Sequence, residues 1–205
     1  MLGVLSKKIL NIISNEKQTE EEKEILLFGI TRILEDIPKT LGIIMLGILL
    51  NIIKEILIVT VVVAIYKTFV GGVHLKTNLG CFFYSAIFYL LSIYSSKCIH
   101  LTGINQIGVF ILIYIFAMYT IFVYVPADVP EMPKVNTSIR KKLKIKSIVM
   151  LNIIYILTIA LINDLEIKRM IIYTVFYISL MTTRTIYKLL KNKYGYETYV
   201  PDELI

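Results

Sequence analysis

The chain of 205 residues is 57% hydrophobic and carries a formal net charge of +7, with two cysteines and two histidines. One soluble core of this length cannot bury so much apolar surface, so the excess faces lipid; at roughly 20 apolar residues per crossing there is room for about six helical spans in a single domain. Two thiols make no disulfide framework, and the basic residues lie between apolar runs, where they meet anionic lipid head groups rather than nucleic acid.

The first element sets Leu2, Leu5, Ile9, Ile12 and Ile13 at helical spacing with Lys7, Lys8 and Asn11 between them, the pattern of an amphipathic helix lying on a membrane surface rather than of a removable signal peptide. Apolar stretches come next at about 25–50, 52–69, 79–98, 104–125, 146–163 and 169–188. In the first of these Arg32, Glu35, Asp36 and Lys39 interrupt the pattern and Pro38 falls among them. Its early part reads as a span or as an amphipathic extension of Glu20-Glu21-Glu22. The second is rich in β-branched residues from Ile56 to Ile65, yet helix is expected, because an open strand in lipid leaves backbone groups unpaired. From Leu79 to Ser96 and from Ile104 to Val125 the third and fourth carry no charge and have full spanning length. The fold class is therefore all-α: a polytopic membrane protein with about six transmembrane helices and an N-terminal amphipathic helix, residues 1–205 forming one domain.

If all six stretches cross, Lys and Arg concentrate on the side of the termini, from Lys7, Lys8, Lys17 and Lys23 through Lys67, Lys76 and the run Arg140–Lys146 to Lys191 and Lys193. The opposite side holds only Lys54, Lys97, Lys168 and Arg169. Both termini, with the connections 66–78 and 126–145, are then expected in the cytoplasm.

The stretch between the second and third spans carries the chemistry: Gly71-Gly72, His74, Thr77-Asn78 and Cys81. The glycine pair breaks the preceding helix and permits backbone geometry barred to other residues. Thr77 or Asn78 can cap the next helix, placing Cys81 in or near its first turn, where the helix dipole, His74 and Lys76 favour thiolate. Whether residues 74–81 are helix or loop, His74 and Cys81 are close enough to touch, and an imidazole beside a thiol can take its proton and later deliver it to a leaving amine. The competing reading is a cysteine at a helix end that merely packs. Cys98 and His100 invite a metal site, but the helix between Cys81 and Cys98 separates them by about 26 Å, so no metal is expected. For Asp128 two readings stand: a third member that orients His74, or one polar residue in a turn shaped by Pro126, Pro130 and Pro133. The run Arg140–Lys146 likewise reads as a topological and lipid-binding signal or as a peptide-binding patch.

A basic residue, a glycine pair, His, and Cys seven residues later resembles the signature of the accessory gene regulator B (AgrB) family. Val125-Pro126-Ala127-Asp128 with Arg140-Lys141-Lys142-Leu143-Lys144 after it resembles a second segment of that family. The resemblance implies a membrane cysteine endopeptidase of quorum sensing that needs no cofactor. It removes the C-terminal tail of a short precursor peptide, holds the remainder as a thioester, and releases it as a thiolactone or lactone; a homodimer is also implied. Cys81 would be the nucleophile and His74 the base, with Lys67, Gly71, Gly72 and Asp128 as substrate-binding or supporting residues. Lys67 stands where many members have Arg, which would turn a two-point carboxylate contact into a single one. The rival is a peptide transporter or exporter without proteolytic activity, suggested by Glu35, Asp36 and Arg184 within or beside apolar runs.

Overall fold

The computed structural model describes residues 2–15, 18–75, 77–130 and 133–199. Lys17 and Lys76 of the terminus-side basic set lie outside them, as do Glu131 and Met132. The chain divides into two compact units, Met1–Ile53 and Lys54–Ile205.

The first unit is a pair of helices, α1 (Leu2–Ile13) packed against α2 (Glu20–Leu49). Thr19 starts α2 through a reciprocal capping box: its hydroxyl accepts from the Glu22 amide at 3.2 Å while the Glu22 carboxylate accepts from the Thr19 amide at 2.9 Å. The helix runs unbroken through Pro38. Its charges pair along their own helix, Arg32 with Glu35 at 3.2 Å and Lys39 with Asp36 at 2.8 Å, so the interrupted part of the first apolar stretch is continuous helix. Asn51 adopts a left-handed conformation (φ +57°) and ends the element.

The second unit contains α3 (Ile53–Val70) from its second residue on, α4 (Asn78–Cys98), α5 (Gly103–Tyr124), α6 (Thr137–Leu161), α7 (Leu165–Met181), α8 (Arg184–Leu189) and α9 (Gly195–Tyr199). α7 is its centre. It packs on α4, α5 and α6 and buries Arg169 through Val175 in succession, then Ile178, Ser179 and Met181. A helix apolar on most faces belongs inside a bundle, and several of the polar groups it brings are hydrogen-bonded there. Arg169 donates through Nε to the Ser96 carbonyl at 3.1 Å, and Tyr177 meets Ser95 at 2.7 Å. At the same end Lys97 pairs with Glu55 at 2.6 Å, tying α4 to α3.

The all-α expectation holds: no strand forms among the described residues, and an isolated parallel bridge joins Gly71 to Ala127. By length and composition three helices among the described residues can cross a membrane, α4, α5 and α6. The six expected spans are not matched in number, for physical reasons. α2 and α3 keep charges inside their helices, and α7 has 17 residues. The last stretch, expected to continue from 169 to 188, instead stops at Met181. The Thr182 and Thr183 hydroxyls bond back to the Ser179 and Leu180 carbonyls at 2.7 and 2.8 Å, and Thr183 turns extended to begin α8. The fifth stretch begins earlier than its hydropathy suggests, because Asn136 caps the basic turn of α6 by accepting from Ser138 and Ile139.

Candidate active site at the head of helix α4

α3 ends at Val70, and Gly71 (φ +81°) and Gly72 (φ +142°) turn the chain away from it. Gly71 lies flat against the segment after α5: the Gly72 amide donates to the Ala127 carbonyl at 2.9 Å, and the Ala127 amide to the Val70 carbonyl at 3.0 Å. A β-carbon on Gly71 would stand 2.2 Å from the Ala127 oxygen, so this close approach admits only glycine. At Gly72 a β-carbon would meet nothing nearer than Lys67 Cε at 3.7 Å, which places the Lys67 stem, in the last turn of α3, beside the glycine pair.

Val73 is next, 2% exposed, in a cluster with Ala127, Tyr187 and Tyr194 that fixes the loop from beneath. At its far end Thr77 caps α4, its hydroxyl accepting from the Gly80 amide at 3.2 Å, while the Cys81 amide makes the first helical bond, to the Thr77 carbonyl, at 2.9 Å. Cys81 therefore sits in the first turn of α4, at the positive end of the helix dipole. Between these anchors half-buried His74 reaches buried Cys81, Nδ1 to Sγ, at 3.8 Å. The loop, not a helix, brings the two together.

Asp128 is buried, but its carboxylate serves the neighbouring loop. Oδ2 accepts from the Lys134 amide at 2.8 Å and from Arg140 at 3.3 Å, and Oδ1 has no hydrogen-bond partner among the described residues. The geometry thus favours the turn-shaping reading over one in which Asp128 bonds the imidazole. Arg140 also donates to the Lys134 carbonyl and stacks over Tyr196 at 4.3 Å. The basic run is therefore divided: Arg140 is an internal brace, Lys144 donates to the Phe122 carbonyl at 2.8 Å, and Lys141 and Lys142 face outward. Burial, with Arg140 beside it, pulls the Lys134 ammonium below its ordinary pKa, Asp128 opposing. Asp128→Asn is expected to cost on the order of 1–3 kcal/mol by leaving Arg140 poorly compensated. A thermal melt in detergent should fall by several degrees while the pH dependence of any His74–Cys81 chemistry stays put; a displaced pH profile would instead tie the carboxylate to the imidazole.

The end of the chain supplies residues that motif reading missed. Tyr187 donates to the Asp128 carbonyl at 3.1 Å and stacks on Tyr194, ring centroids 4.2 Å apart; Tyr194 donates to the Thr182 carbonyl. Burial raises the pKa of both phenols, so they stay neutral donors. Asn192 donates from Nδ2 to the His74 carbonyl. No local pattern marks these positions; a polar, tyrosine-bearing tail is the only signal. Cys98 is exposed at the other end of α4, neither cysteine forms a disulfide, and no group of three or more His, Cys, Asp or Glu among the described residues could hold a metal ion.

A family model described as "Accessory gene regulator B" matches residues 6–184. A "Putative AgrB-like protein" of Clostridium perfringens (strain SM101 / Type A) is 28% identical over 157 residues, covering 75% of this chain and 73% of the relative. A "Putative AgrB-like protein 2" of Clostridium perfringens (strain 13 / Type A) is 26% identical over 157 residues, with the same coverage of each chain. No solved structure matches the chain.

Proposed function

Because the chain belongs to the accessory gene regulator B family, which processes quorum-sensing peptides, we propose that it is a cysteine endopeptidase whose Cys81 cuts a short precursor peptide with His74 as its base. The observation that carries this reading is the 3.8 Å approach of His74 Nδ1 to Cys81 Sγ at the head of a capped helix. The long apolar helices α4, α5 and α6 fit the membrane setting of the family.

In the proposed reaction His74 takes the Cys81 proton, and the thiolate adds to the carbonyl carbon of the scissile peptide bond. The carbon–nitrogen bond then breaks, the imidazolium returns its proton to the departing amine, and the C-terminal tail leaves. The remaining peptide stays on Cys81 as a thioester. A thiol within that peptide attacks the same carbonyl, its proton passing to His74, and Cys81 departs as thiolate as the ring closes; a hydroxyl in that place would give a lactone. Exchange of one thioester for another is nearly neutral in free energy, so the ring forms only where water is kept from the acyl group. The site's position between buried Val73 and the apolar flank of α4 supports that exclusion. The excess of Lys and Arg near the site and the termini supports a cytoplasmic active site, reached by precursor before export.

The acyl-enzyme is the distinguishing intermediate. With a precursor whose internal nucleophilic Cys is replaced by Ala, ring closure is blocked, and mass spectrometry of the intact protein should find the truncated peptide on Cys81 in a hydroxylamine-labile bond. A cleaved tail without any adduct at Cys81 would mean that water or another residue attacks directly, and the thioester route would be abandoned.

A further inference from the structure

Hydrogen bonds hold the loop that presents His74 at three points, and one of them comes from the segment after α8. The Gly71–Ala127 bridge fixes its start, the Thr77 cap fixes its end, and Asn192, 118 positions away, donates its amide to the carbonyl of His74 itself. We infer that Asn192 is a positioning residue for His74, held in place by the segment that succeeds α8. The inference rests on the reading of His74 and Cys81 as the reacting pair.

The segment is built for that task. α8 ends in a turn in which Lys191 takes a left-handed conformation (φ +51°) and the Asn192 amide donates to the Tyr187 carbonyl at 2.8 Å. The Lys193 amide donates to Asn192 Oδ1 at 3.0 Å. An Oδ1 occupied by an N–H donor leaves Nδ2 as the group facing His74, so the orientation of the side-chain amide is set by two bonds at once. Further along, Gly195 is pressed against the strip after α5, where a β-carbon would stand 2.2 Å from the Val129 carbonyl oxygen. Asn192 lies beyond residues 6–184, the part that matches the family. What it does is therefore carried by this chain's own contacts.

The carbonyl oxygen of His74 is two bonds from its Cα, so a shift there moves the imidazole against Sγ, and small misplacements of reacting groups lower rates steeply. Asn192→Asp keeps the shape and the bond from Lys193 but sets an oxygen against the His74 carbonyl; Asn192→Ala removes the donor. Both are expected to lower kcat for tail cleavage roughly tenfold with little change in KM, because the displaced group is the base and not the peptide contact. In a Cys98→Ser background, alkylation of Cys81 by iodoacetamide at fixed pH should also slow, since a displaced imidazole takes the thiol proton less readily. Alkylation is read per molecule by mass, so a lower membrane level of either variant does not obscure the result.

Glu197→Gln removes the exposed ion pair of the tail with Arg184, beyond the Gly195 contact and away from His74, and should leave both readouts unchanged. Wild-type cleavage and alkylation rates in both Asn192 variants would overturn the inference, as would an equal loss in Glu197→Gln, which would make the effect one of general loosening. Cys81→Ala in the same membranes separates the two levels: if it still cleaves, the peptidase reading fails, whereas if it is inert and the Asn192 variants cleave normally, only the role of Asn192 fails.

Discussion

Cys81→Ala should abolish cleavage of a precursor peptide co-expressed with this protein, and His74→Ala should lower it at least about 1,000-fold, some 4 kcal/mol of lost transition-state stabilisation. The thiol has no substitute nearby: Cys98 lies at the opposite end of α4. His74 has none among the described histidines either, His100 lying just past the end of that same helix. Without the imidazole the thiol keeps the helix terminus but loses its base and the donor for the leaving amine, so both steps of acyl transfer slow. Precursor mass, tracked in membranes with equal amounts of each variant, decides the matter. Cleavage at the wild-type rate in both would remove the pair from the chemistry and return the protein to the transporter class suggested by the charges in its apolar runs.

Gly71→Ala should be nearly as damaging, although Gly71 performs no chemistry. Its left-handed backbone disfavours a side chain by about 1–2 kcal/mol. The added carbon would meet the Ala127 carbonyl at 2.2 Å, a clash relieved only by opening the bridge made by the Gly72 and Ala127 amides. Losing those two bonds costs about 1 kcal/mol each, so the total is on the order of 3–4 kcal/mol. The loop that carries His74 would then detach from the segment after α5, and cleavage should drop far more than global stability. Gly72→Ala is the informative partner, because its φ of +142° also disfavours a side chain while the space beside it is open to 3.7 Å. It should retain measurable cleavage. Equal activity in the two variants, judged by peptide mass against a detergent melt, would show that backbone conformation and not the Ala127 contact limits this position.

Much of the site was legible locally because its elements are neighbours in the chain. Gly71-Gly72 ends a helix by backbone freedom, Thr77 begins the next by satisfying an orphan amide, and the seven-residue interval between His74 and Cys81 is short enough for contact. The apolar runs likewise fixed the all-α class, since helix satisfies its own backbone in an apolar surrounding. Hydropathy was a poorer guide to helix ends. It averages over residues, whereas the stop at Met181 depends on two threonine hydroxyls returning to particular carbonyls, and the start at Thr137 on one asparagine cap.

Composition and short-range geometry, both complete in the sequence by itself, determined a helical chain rich in lipid-compatible surface, a glycine turn, a capped helix, and a histidine within reach of a cysteine. Tertiary structure decided the features that depend on contacts between distant segments. It assigned Asp128 to Lys134 and Arg140, made Arg140 a brace under Tyr196, and brought Asn192 to the carbonyl of His74. Those outcomes have no local signature, because a carboxylate or amide will bond whichever complementary group the fold sets at about 3 Å, and that neighbour is chosen by the packing of α7, α8 and the tail rather than by the residues beside it in the chain.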